Sequence, residues 1–235
     1  MKKNPWVIVV LVILVAAGLT ACARVGEMLE ITKSIPLDSA QSLQVDVRMN
    51  AGELALEGGA PGILDARFRT NVEAWKPEVT YRLEGTRGVL LVEQPRHQGI
   101  SLGRAENKWD VRLNDKVPVD LTAKFGAGEA KVNLGTLILD GLSIKMGVGD
   151  LTLDLGAYNQ KGFTGHIKGG VGHATLYLPQ GMGVRVSVHG GLGSVDATGF
   201  KVDHRVYTND AYANGGPTID LDVEAGIGSL DLRLR

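Results

Sequence analysis

The sequence predicts an all-β protein, a parallel β-helix or solenoid with rungs of about 21–23 residues. Three observations carry that reading. Five tripeptides share the form Gly-apolar-Gly: Gly126-Ala127-Gly128, Gly147-Val148-Gly149, Gly170-Val171-Gly172, Gly191-Leu192-Gly193 and Gly226-Ile227-Gly228. Their first glycines are 21, 23, 21 and 35 residues apart. Each tripeptide is followed by apolar/polar alternation, as in EAKVNL from Glu129, DLTLDL from Asp150, HATLYL from His173 and SLDLRL from Ser229. Period two with one apolar face is a strand signal. Finally, 32 of 235 residues are glycine and only 5% are aromatic. That glycine share is roughly double the usual ~7%, and it describes a chain of many tight turns and few bulky core anchors.

The first element is an address. Lys2 and Lys3 precede an unbroken apolar run from Trp6 to Leu19. A bilayer core needs about 20 apolar residues, so the run is short for a span and suits the core of a secretory signal peptide over residues 1–21. It ends Leu19-Thr20-Ala21-Cys22, which resembles the bacterial lipobox and contains the only cysteine. The resemblance implies a diacylglyceryl thioether on Cys22, cleavage before it, and a palmitate-bearing lipoprotein held at the extracytoplasmic face of a cell membrane. Two acyl chains anchor stably where one does not. Residues 22–33 then read as a tether.

Residues 34–110 form an N-terminal β region. Strand-like runs at Gln44–Arg48, Glu53–Glu57, Leu64–Thr70, Glu78–Leu83 and Val89–Glu93 are separated by turn signals such as Gly58-Gly59-Ala60-Pro61-Gly62. A degenerate corner, Asn50-Ala51-Gly52, sits inside it. Asn tolerates positive φ best after glycine, so Asn50 is expected to replace a corner glycine, and the region to run on into the solenoid. Pro95–Lys108 reads as a loop, and Trp109 reopens β structure.

Residues 111–235 are the repeats. Each is expected to be a strand, a glycine corner, a second strand and a return, with rungs about 4.8 Å apart. Ala130, Leu151, Ala174 and Val195 should form one apolar column, and the residue between the glycines should plug the corner of the core. The longest repeat carries an inserted loop near 200–217, whose Phe200, Tyr207 and Tyr212 are expected to cover the end of the core.

These residues resemble the bacterial toast-rack family of exported proteins. The resemblance rests on Met49–Leu54 with Gly58-Gly59-Ala60, on Lys108-Trp109-Asp110-Val111, on Val117–Leu121, and on Gly126–Glu129 with the later corners. The repeats are also similar to the C-terminal domains of cell-wall-active-antibiotic response proteins and to adhesin solenoids. The likeness implies a right-handed β-helix at the cell surface and supplies no catalytic residues.

Chemistry is sparse. Formal net charge is −1, from 25 basic and 26 acidic residues, without the basic excess of a nucleic-acid binder. Gly169–Leu176 has the glycines of a calcium β-roll, but Ala174 fills the ligand aspartate's slot. Phosphate-loop, dinucleotide, zincin and nucleophile-elbow motifs are absent from the sequence. No cofactor, metal, nucleotide or nucleic acid is expected. His173, stacked beside Asp150, reads as a solvated polar position. One ladder is less ordinary. The slot two residues before each corner holds Lys124, Lys145, Lys168, His189 and Glu224. Stacked lysines discourage sheet pairing, or face an anion such as a lipid headgroup or a wall polymer. The expected function is a non-enzymatic envelope lipoprotein, a binding, scaffold or adhesin-like module with a part in envelope stress. Its expected partners are the membrane and a cell-wall polymer or envelope protein. The alternative is an envelope glycan-binding or glycan-cleaving protein.

Overall fold

The computed structural model describes residues 25–95, 104–191 and 193–235. The signal segment, Cys22, His97 and Leu192 lie outside the described residues. Among the described residues the regular secondary structure is all strand apart from two short 3-10 turns. In order it forms β1 (Val25–Ile35), β2 (Ser42–Ala60), β3 (Leu64–Val72), β4 (Glu78–Glu84), β5 (Arg87–Glu93), β6 (Asn107–Asn114) and β7 (Pro118–Asn133). Then come β8 (Ile138–Asp154), β9 (Phe163–Leu178), β10 (Gly183–Gly190), β11 (Ser194–Thr198), β12 (Lys201–Asp203), β13 (Val206–Thr208) and β14 (Thr218–Leu234).

Five long strands, β2, β7, β8, β9 and β14, each run through a glycine corner and so present two arms. They stack in parallel in that order. The inward residues form continuous columns. On the first arm Val47, Ala123, Ile144, Ile167, Val223 and Val188 follow one another from rung to rung. On the second arm the column is Leu56, Val132, Leu153, Leu176, Leu232 and Ala197. All but Ala197 are buried, and Ala197 packs against the core partly exposed. Burying such faces stabilises by roughly 25 cal/mol per Å² of apolar surface, which two strands alone could not reach.

A broken rung flanks the five on either side. At one end β5 pairs the first arm of β2 and β6 pairs its second arm. At the other end β10 and β11 pair the two arms of β14. Antiparallel strands extend the sheet beyond: β4 on β5, β3 and β1 on β6, and β13 and β12 on β10.

Four expectations are corrected. The rungs do not stack in chain order. Ala130, Leu151 and Ala174 do share a column, but Leu230 of β14 stands between Ala174 and Val195. The return after β9 carries the chain one rung too far, and β14 fills the place it passed. Backbone bonds from Arg235 N to Leu178 O (2.9 Å) and from Gln180 N to Arg235 O (2.9 Å) fix that crossing.

The residue between the corner glycines does not plug the core. Val148, Val171 and Ile227 are 55%, 50% and 70% exposed, because the corner's inward positions belong to the residues before it, such as Phe125 and Met146. Asn50 does not take positive φ. It stands where a glycine stands in later rungs because the rung before it is broken, so no neighbouring corner carbonyl crowds it. Finally, most of the segment expected as a tether is strand. β1 pairs antiparallel with β3 from Leu29–Thr70 to Ile35–Leu64, with Ile31 and Ile35 packed on the core.

Of the inserted aromatics, Tyr207 is buried, Phe200 packs against the core partly exposed, and Tyr212 is exposed. Asn209, buried beside them, accepts from Val184 N (2.9 Å) and donates to Met182 O (2.7 Å).

Candidate functional site

The corner sets three surface strips side by side. On the first arm, two residues before each corner, the outward slot holds Glu93, Arg48, Lys124, Lys145, Lys168, Glu224 and His189 in spatial order. At the apex stand Ala51, Ala127, Val148, Val171 and Ile227, in register. Just past it, on the second arm, the outward slot holds Glu53, Glu129 and Asp150. A cationic stripe and an apolar ridge therefore run in parallel along the stacking axis, with an acidic stretch beside them on β2, β7 and β8.

Lys124, Lys145 and Lys168, singled out from the sequence, occupy consecutive rungs. His189 does not adjoin them, because β14 places Glu224 between His189 and Lys168. His189 Nε2 instead lies 3.3 Å from Asp222. Arg48 extends the stripe at the other end and was not singled out. The degenerate corner Asn50-Ala51-Gly52 puts it in the same slot, so the repeat alignment held the signal.

The cations differ in their partners. Arg48 Nε donates to Asp46 Oδ2 at 2.9 Å and its Nη1 lies 3.5 Å from Glu93. Lys124 Nζ shares Asp46 Oδ2 at 3.3 Å. Lys168 Nζ pairs with Glu224 Oε1 at 2.7 Å. Among the described residues Lys145 has no ion pair, and it is exposed. The hydrogen bonds that Arg48 donates to Asp46 stabilise its charged guanidinium further.

These four cations line one side of a groove of about 750 Å³. Bare backbone at Gly126, Gly147 and Gly170 forms the other lip, and Glu93, Gln94 and Pro95 wall one end. That wall is a fixed structure. Gln94, buried in the broken corner, accepts through Oε1 from Asn50 N (2.9 Å), Ala51 N (3.4 Å) and Asn107 Nδ2 (3.1 Å). Asn107 also donates to Ala51 O (2.9 Å) and accepts from Trp109 Nε1 (3.0 Å). Two side-chain amides thus do for the first corner what a neighbouring backbone does for the others.

His173 turns from Asp150 toward the next rung, with Nδ1 2.6 Å from Ser229 Oγ and Nε2 3.4 Å from Asp231. Among the described residues no three His, Cys, Asp or Glu side chains gather as a metal site, and no helix is long and apolar enough to cross a membrane.

Residues 25–177 match the family profile of the N-terminal domain of toast_rack, DUF2154. The chain belongs to the toast-rack family. Among solved structures, it is similar to a proposed cell adhesion protein of Clostridium sporogenes ATCC 15579. The two share 30% identity over 89% of this chain and 100% of that one, with a TM-score of 0.85. A proposed adhesin of Bacteroides fragilis NCTC 9343 shares 12% identity over 89% of this chain and 99% of that one, with a TM-score of 0.37. No curated protein sequence matches the chain. The family match and the Clostridium structure agree with the all-β solenoid that the corner repeats predict.

Proposed function

We propose that this toast-rack protein is a non-enzymatic, adhesin-like binding module of the cell envelope. The observation that carries the reading is the 30% identity to the Clostridium protein over all of that chain. The surface agrees with it: chemistry is spread along the solenoid as ladders rather than gathered in a cleft of convergent catalytic groups. In this reading Cys22 carries the lipid anchor, the body stands outside the cytoplasm, and the coil winds right-handed with rungs of about 21–23 residues.

The test is retention of envelope material by the mature, lipidated protein. Cells or wall fragments from its own envelope should bind an immobilised copy in a saturable way and compete with free protein. No saturable retention would overturn the reading. For the anchor, Cys22→Ser should release the protein from membranes and change the mass of the mature N-terminus. Unchanged retention and mass would refute lipidation.

A second reading, binding of an envelope glycan, is favoured by one feature, the walled groove beside the corner.

A further inference from the structure

We propose that the corner groove binds a short stretch of a linear polyanion, a carboxylate-bearing glycan or a phosphodiester-linked wall polymer, laid along the solenoid axis. The inference rests on the adhesin-like reading and names the chemistry of its ligand. Four features point to it.

The cations form a block. Arg48, Lys124, Lys145 and Lys168 stand on four successive rungs, which at ~4.8 Å per step spans about 14 Å. Like charges so stacked repel one another and weaken the sheet. A bound anion removes that repulsion.

The block has ends. Glu93 pairs with Arg48 on one side and Glu224 with Lys168 on the other. Both carboxylates repel a polyanion that slides past, so they set the length held. The two end cations are also the ones these glutamates neutralise in part. The centre of the block, Lys145, has no carboxylate partner among the described residues and is free to take one from a ligand.

The surface is a groove and not a plain. Accessible cations stand beside the glycine backbone of the corner, and the Glu93–Pro95 segment closes one end, so a thin chain fits along the rungs.

The direction of the groove disfavours an acidic peptide. It crosses the strands, so a peptide there could not add to the sheet through its backbone.

The experiment titrates the full mature protein against polygalacturonate, polyglycerol phosphate, poly-L-glutamate and neutral dextran at low salt. Wild type is compared with K124Q/K145Q/K168Q and with a control of equal charge change, K108Q/K131Q/K201Q, whose lysines lie outside the groove. The expected result is binding to polygalacturonate, polyglycerol phosphate or both, none to dextran, and at least a tenfold loss in the groove triple against less than twofold in the control. The dependence of log Kd on log salt should also flatten in the groove triple, because fewer counterions are displaced. Which of the first two probes binds identifies the source of the anion. Equal losses in both triples, absence of binding to both polymers, or tighter binding of poly-L-glutamate would overturn the proposal. Each variant's thermal melt is recorded, and K145Q alone, which breaks no ion pair, must show a smaller loss in the same direction. Whole-envelope retention surviving in the groove triple would sink this inference and leave the adhesin-like reading standing. Loss of retention in wild type would sink that reading instead.

Discussion

Lys168 of β9 and Glu224 of β14 stand opposite one another in the sheet, ammonium to carboxylate at 2.7 Å, although 56 residues separate them in the chain. They mark the insertion of β14 between β9 and β10. A strand so placed is the partner of both neighbours, and its loss leaves two sheet edges unpaired. Deleting residues 218–235 should therefore remove hydrogen-exchange protection from β9 and β10 while β2 and β7 stay protected. Protection of β10 in that truncated chain would show that β10 closes directly onto β9, contrary to the register seen here.

The corner glycines are held by their neighbours' backbone. A Cβ at Gly172 would lie 1.8 Å from Gly149 O, and its φ of +147° is one that side chains rarely adopt. At Gly193, in the broken terminal rung, the corresponding distance to Gly228 O is 3.1 Å. Backbone strain alone costs about 1–3 kcal/mol. Gly172→Ala should lower stability by about 3 kcal/mol or more in denaturant melts, and Gly193→Ala by under about 1 kcal/mol. Similar losses at both positions would contradict the stacked-corner account.

Gln94 and Asn107 complete the first corner. Gln94→Leu leaves the part-buried backbone amides of Asn50 and Ala51 without their acceptor and takes one acceptor from the buried Asn107 Nδ2. An unsatisfied buried group costs about 1–3 kcal/mol. The melt should shift accordingly, and the exchange of those two amides should rise more than that of β8. A Gln94→Leu protein as stable as wild type would mean that water serves equally well.

Behind the groove the inward column Met49, Phe125, Met146 gives way to Gly169, where an added Cβ would meet nothing within 4 Å. Gly169 has no positive φ, so alanine fits the backbone as it stands. Gly169→Ala should raise stability by about 0.5–1 kcal/mol, mainly by restricting the unfolded chain. A lower melting temperature would show that the space is not open.

Tyr81 gives a handle on pH. Burial, and then its hydrogen bond to Asp38 (2.7 Å), push its phenol up to about 12. The same bond, with that from Ala40 N (2.9 Å), holds Asp38 below the usual carboxylate range. An unfolded tyrosine ionises near 10, so Tyr81 contributes stability below about pH 10 that is lost as pH rises toward 12. Asp38 contributes above its ordinary value near 4, and that is lost in acid. Phenolate absorbance should show Tyr81 titrating late, and earlier after Asp38→Asn, though still above 10 because burial is the larger cause. Five tyrosines ionising together near 10 would refute it.

The sequence made the corners legible because their requirement is local. A glycine whose Cβ would strike the next rung's carbonyl is fixed wherever rungs stack. The columns were legible for the same reason: Ala130, Leu151 and Ala174 alternate with polar residues as any buried strand must. Rung order was not legible. Every copy carries the same pattern, so Ser229–Leu232 fits beside His173 as well as Ser194–Ala197 does, and the choice turns on the return after Leu178. Val148 and Ile227 misled because apolar residues usually point inward, whereas here both flanking glycines bend the backbone so that the middle residue faces water. In the groove, the lysine ladder could be read from the repeat, but the neutralising roles of Glu93 and Glu224 come from strands distant in sequence.

The interposed position of β14 also bears on how the molecule is made. During synthesis β10 emerges before the strand that must lie between it and β9, so the nascent sheet cannot grow past β9 in simple succession. Completion waits for the downstream segment to slot home between β9 and β10.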